Sequence, residues 1–133
     1  MSRGQSLVEL AVCAPVVILL ALGSVAIVRI VDARAGLEAA TQAAAAEAAR
    51  APDPVTAERA AQARFAAMIT SYPVESPALH VTFSSFTRTD EVEATSSGRV
   101  QVSWPAPGVF GGLTIASSIA IPLEPWRSHA QER

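Results

Sequence analysis

The chain has 133 residues, half of them hydrophobic but only 5% aromatic, and a formal net charge of -2. That length holds one membrane anchor and one small domain rather than two domains. The near-balanced charge, ten dispersed arginines against twelve acids with no lysine, excludes the basic footprint of a nucleic-acid binder.

From the N-terminus, Arg3-Gly4-Gln5-Ser6-Leu7-Val8-Glu9 leads directly into an uncharged apolar run, Leu10 to Val28. As a helix, those nineteen residues would span about 28 Å, the thickness of a bilayer's hydrocarbon core. Eleven of the nineteen are Leu, Ile or Val, each favouring insertion by about 0.3–0.6 kcal/mol near the centre. Their sum, several kcal/mol, offsets one marginal carboxylate at Glu9, a charge costly enough at the edge of a span to imply a partner. Pro15 removes a backbone hydrogen bond and predicts a kink. Gly23 and Ser24 form a small-residue spot where another helix can approach. The lone Cys13 packs as a small apolar residue and excludes an intramolecular disulfide. A cleaved secretory signal is the rival reading, with Ala33-Arg34-Ala35 as its small-x-small site. The run is longer than such signals use, and Arg29, Asp32 and Arg34 crowd the cleavage region.

Beyond the span, Asp32 to Ala51 is dominated by alanine, the strongest helix former, so the membrane helix should continue outward as a stalk with Gly36 as its weak point. Pro52-Asp53-Pro54 stops it and opens a second helix, with Asp53 as N-cap and Pro54 at the first helical position. Ala61, Phe65, Met68, Ile69 and Tyr72 line one apolar face of that helix, and Pro73 closes the segment. The period then changes to two. Leu79, Val81 and Phe83 alternate with polar residues, as do Val92 and Ala94, then Val100, Val102 and Trp104, with a tight turn expected at Ser97-Gly98. Pro105 to Gly108 and Gly111-Gly112 read as a loop. Leu113 to Leu123 reads as a last strand bent near Ser117-Ser118. The expected fold is α+β: an N-terminal transmembrane helix extended as a helical stalk, a second amphipathic helix, and a small antiparallel β-sheet. The corresponding segments are 1–4, 5–31, 32–72, 78–124 and a tail, 125–133.

Chemistry is sparse. His80 and His129 have no metal-ligand companions at useful spacing, and no Gly-x-Ser-x-Gly elbow occurs. Glu91 and Glu93 share one wet strand face. Gly108 to Gly112 lacks the lysine of a phosphate loop. The sequence therefore points to no enzyme, no catalytic or metal residues and no cofactor.

The Arg3–Glu9 pattern, the apolar span and the alanine-rich helix together resemble the TadE-like family, pilin-like proteins of tight-adherence (Tad, or Flp) pilus systems. The stretch Val100-Gln101-Val102-Ser103-Trp104-Pro105, a Gly/Pro loop and the apolar Leu113–Ile121 run are similar to that family's C-terminal end. The resemblance implies cleavage by a prepilin peptidase between Gly4 and Gln5, with Glu9, the fifth residue of the mature chain, guiding subunit assembly. Leu10 stands where major pilins commonly carry tyrosine, and the chain is much longer than those pilins, which implies a minor, pseudopilin-type subunit. The implied partners are the peptidase, other pilin-like subunits, the Tad inner-membrane assembly machinery and membrane lipid. The implied location is a bacterial inner membrane, single-pass, with the N-terminus cytoplasmic and the C-terminal domain outside. The alternative is an unprocessed, signal-anchored envelope protein whose small outer domain binds a partner and buries its sheet against the second helix.

Overall fold

The computed structural model describes residues 3–84, 91–103 and 110–123. Two helices precede three strands: α1 (Arg3–Arg50), α2 (Pro54–Ile69), β1 (Glu75–Phe83), β2 (Glu91–Ser103) and β3 (Phe110–Pro122). The α+β architecture is the one expected. The strands form one antiparallel sheet in the order β1-β2-β3.

Helix α1 runs unbroken for 48 residues through Pro15, roughly 70 Å at 1.5 Å per residue. Its outer part carries a buried stripe, Ala33, Leu37, Ala40, Thr41, Ala44, Ala45, Ala48 and Ala49, at helical three- and four-residue spacing. Short side chains let α2 and the sheet approach this stripe closely. The connection after Arg50 is only Ala51-Pro52-Asp53, so α2 returns antiparallel along α1. Asp53 caps α2 as expected: its backbone is extended, its carboxylate accepts from the Thr56 N–H at 2.9 Å, and Pro54 opens the helix. Ala57, Ala61, Phe65 and Ile69 are buried and Met68 is half-buried. The helix ends at Ile69, three residues short of Tyr72, which sits in the following turn.

Tyr72 explains Gly36. A Cβ at position 36 would overlap the Tyr72 ring, so the glycine is a point of close approach rather than a weak point of the helix. The sheet lies mainly on α1, with α2 reaching only β1, so the sheet's inner face is buried against the stalk more than against the second helix. Leu79, Val92, Ala94, Val100 and Ile115 form that buried face. One polar pair crosses the layer. The buried Thr41 hydroxyl donates to the Leu37 carbonyl at 2.6 Å and accepts from the buried Ser96 hydroxyl.

The tight turn expected at Ser97-Gly98 does not form. Both residues lie inside β2, paired with Ala116 and Ile115 of β3. The buried positions Val92, Ala94, Ser96, Gly98 and Val100 keep one parity throughout, so the alternation is never interrupted. Gly98 is small there because a Cβ would overlap the Val74 side chain. Gly111-Gly112 likewise belongs to β3, opposite Val102 and Gln101, and the Arg99 side chain covers Gly112. The register also continues evenly through Ser117 and Ser118. Trp104, the Pro105–Gly108 loop, His129 and the expected tail lie outside the described residues.

Replacing Gly36 with alanine separates propensity from packing. Propensity alone favours Gly36→Ala by about 1 kcal/mol, whereas displacing the Tyr72 ring costs about 1–3 kcal/mol. We expect a net loss in thermal melts of the full chain in detergent, recovered when Tyr72→Ala is added.

Asp53 gives a pH test. The hydroxyl and N–H of Thr56 hold its carboxyl below the ordinary 3.8. A carboxyl depressed by folding stabilises the fold above its unfolded pKa, and that contribution is lost as pH falls through the folded value. Asp53→Asn should therefore melt lower than the native chain at neutral pH, and the gap should narrow between about pH 5 and 2.

Candidate membrane and assembly segment

Gly4, Gln5 and Glu9 all lie in the first turns of α1 and are exposed. Gln5 and Glu9 are four residues apart and therefore share one helix face. A Cβ built on Gly4 meets nothing within 4 Å, so intramolecular packing does not call for glycine there.

The apolar side chains that follow are uncovered. Leu10, Leu20 and Val28 are each about two-thirds exposed, at 66%, 67% and 66%, and Val16 to Leu19 are also exposed. Among the described residues, α2 and the sheet seat on the stalk from about Arg29 and Ile30 onward, so the earlier part of α1 projects from the domain as an apolar rod. A soluble protein does not leave so long an apolar surface in water. The segment is long and apolar enough to cross a membrane, and its most apolar window has no buried residue. Its one polar side chain is internally satisfied: the Ser24 hydroxyl donates to the Leu20 carbonyl at 2.9 Å.

A family model described as TadE-like protein was found to match this part of the chain. Residues 4–50 match it. The TadE-like match thus begins at the glycine of the expected cleavage site and ends where α1 ends. It covers the anchor and the stalk, and the outer elements α2 and β1–β3 lie beyond it. No curated protein and no solved structure matches the chain.

Of the other residues singled out in the sequence, those on the strands lie apart from this segment. His80 is exposed on β1. Glu91 and Glu93 are exposed on β2, and the Ser118 hydroxyl donates to Glu93 at 3.3 Å. Cys13 is exposed on the apolar rod.

The structure adds a feature that sequence reasoning did not find. Where the apolar rod enters the domain, Arg29, Tyr72, Pro73, Val74, Glu75, Val100 and Gln101 line a cleft. Beside it, β1 opens with a bulge. Glu75 pairs with Arg99 while Ala78 pairs with Ser97, so Ser76 and Pro77 together oppose Gly98. Ser76 has a φ of 48° and precedes proline, two conditions that disfavour it. The extra residue moves Glu75 from the parity of Leu79 and Val81 to that of Arg99 and Gln101. Gln101 then donates to the Glu75 carboxylate at 3.1 Å. β1 begins at Glu75, three residues before the expected segment, so Pro77 lies inside the strand rather than ahead of it.

Proposed function

We propose that this chain is a membrane-anchored, pilin-like minor subunit of a Tad/Flp pilus assembly system, cleaved after Gly4 by a prepilin peptidase. The observation that carries the reading is the coincidence of the TadE-like match with a bare apolar helix that starts at Gly4. An open glycine with no packing role supports recognition from outside the chain, where a small residue fits a protease site.

Cleavage would free an amino group on Gln5, one helical turn from Glu9. In a bilayer an isolated Glu9 carboxylate is costly, and pairing it with the Gln5 amine of a neighbouring subunit removes much of that cost. Register between helices would then follow from one charge pair, although lipid supplies no hydrophobic drive for helix association. The N-terminus would face the cytoplasm and the α2–sheet domain the outside. A second reading is supported by the outer domain lying wholly beyond the matched residues: an unprocessed anchored protein whose domain binds a partner in the envelope.

Intact mass and N-terminal sequencing of the protein from its native membrane separate the two. A chain that begins at Gln5 and retains the span supports processing, and a start at Met1 or Ser2 supports the second reading. The bulkier Gly4→Val should leave the leader attached, and a mature mass unaffected by it would count against cleavage at Gly4. Glu9→Gln should preserve processing but lower co-purification of pilin-like partners by tenfold or more, about the effect of 1.4 kcal/mol. Unchanged co-purification would remove Glu9 from assembly.

A further inference from the structure

We infer that one end of the β2–β3 pair, the end of β2 and the start of β3, rests in the headgroup region of the bilayer that α1 crosses. The chain would then touch lipid twice, through the span and through its sheet. The inference rests on reading Leu10–Val28 as a membrane helix.

Level along α1 comes first. Two contacts fix the direction of β2 against the helix: the Ser96 hydroxyl meets Thr41, and Val100 lines one cleft with Arg29. β2 therefore runs back along α1 toward the span. Thr41 to Arg29 is about 18 Å of helix, and Ser96 to Val100 is about 13 Å of strand. Val100 thus lies close to the level of Arg29, the residue that follows the apolar run. Ser103 lies about 10 Å further along the strand. β3 keeps pace, with Leu113, Gly112, Gly111 and Phe110 opposite Val100, Gln101, Val102 and Ser103. Both strand ends therefore reach the boundary at Val28, which is headgroup depth.

Surface chemistry comes second. Leu113 sits on the sheet face turned to α1, opposite the buried Val100, yet it is 46% exposed. Beside it Val102 is half-buried and Gly111 is exposed. Among the described residues outside α1, the other large exposed hydrophobic is Val55, at the start of α2 and the opposite end of the domain. The sequence carries no charge from Val100 to Leu123, whereas the far end of β2 begins with Glu91 and Glu93. An apolar, uncharged surface continuous with an apolar rod is suited to a bilayer interface. The backbone limits the depth. β3 is an edge of the sheet, and its outward N–H and C=O groups need water or headgroups as partners, which hydrocarbon does not supply.

The test attaches a nitroxide to one cysteine at a time on the full chain, with Cys13→Ser as background. The chain is placed in vesicles of equal parts phosphatidylethanolamine and phosphatidylglycerol, and collisions with oxygen and with a water-soluble nickel chelate are compared. Leu113→Cys and Gly111→Cys report the proposed contact, and a Cβ at position 111 meets nothing within 4 Å. Ala120→Cys, exposed toward the far end of β3, reports water, and Leu20→Cys reports the span. The oxygen-to-nickel collision ratio should rise severalfold from position 120 to 113, rise again at 111, and stay below that at 20. Ratios at 111 and 113 equal to that at 120 would overturn the contact. Few collisions with either reagent at 111 and 113 would mean that protein covers this surface, and would overturn the lipid assignment. Circular dichroism of each variant checks that the fold is kept. A high ratio at 20 with water-like values at 111 and 113 refutes the contact alone, and a water-like value at 20 refutes the span with it.

Discussion

A single helix has to satisfy two environments, and the other elements are arranged around how α1 does so. From Leu10 to Val28 its large apolar side chains are exposed among the described residues, whereas its second half bears a stripe of alanines on which α2 and the sheet are seated. Backbone hydrogen bonding is satisfied within the helix in either environment, which is what allows one element to pass from lipid to water without a joint. Alanine makes the outer half workable. It keeps the helix propensity high and leaves room for a second helix and a sheet to approach the same short stretch.

That packing is close enough to make individual atoms matter. Gly36 admits the Tyr72 ring, Gly98 admits Val74, and Gly112 lies beneath Arg99. The buried Thr41 and Ser96 hydroxyls satisfy each other across the helix–sheet layer, so two polar groups are carried in the core without an orphaned donor. Removing the Thr41 hydroxyl would take this partner from buried Ser96, whereas Thr41 keeps its bond to the Leu37 carbonyl, and the pair ties the register of the sheet to the rotation of α1.

The two ends of the apolar rod differ in their surroundings. At the start are Gly4, Gln5 and Glu9, free of packing constraints and matched to the TadE-like pattern. At the other end, where the rod enters the domain, the turn after α2 and the bulged start of β1 meet Arg29.

Much of this was legible in the residues. The apolar run, the stalk, the Asp53-Pro54 helix start and the strand alternation follow from hydropathy, alanine content, capping chemistry and period, all of which act locally along the chain, although the turn expected at Ser97-Gly98 divided what is one strand. Ser97-Gly98 and Gly111-Gly112 were not legible, because a glycine placed for a turn and a glycine placed for a neighbour's side chain look alike until Val74 and Arg99 are in position. Gly36 was misleading on the same ground, its partner Tyr72 lying thirty-six residues away. The sequence by itself determined which segments are helix, strand and membrane length, because those depend on local periodicity and hydropathy. Tertiary structure alone decided that the sheet rests on α1, that Thr41 meets Ser96, and that a one-residue bulge turns Glu75 to the outer face beside Gln101, because each depends on distant residues meeting in space.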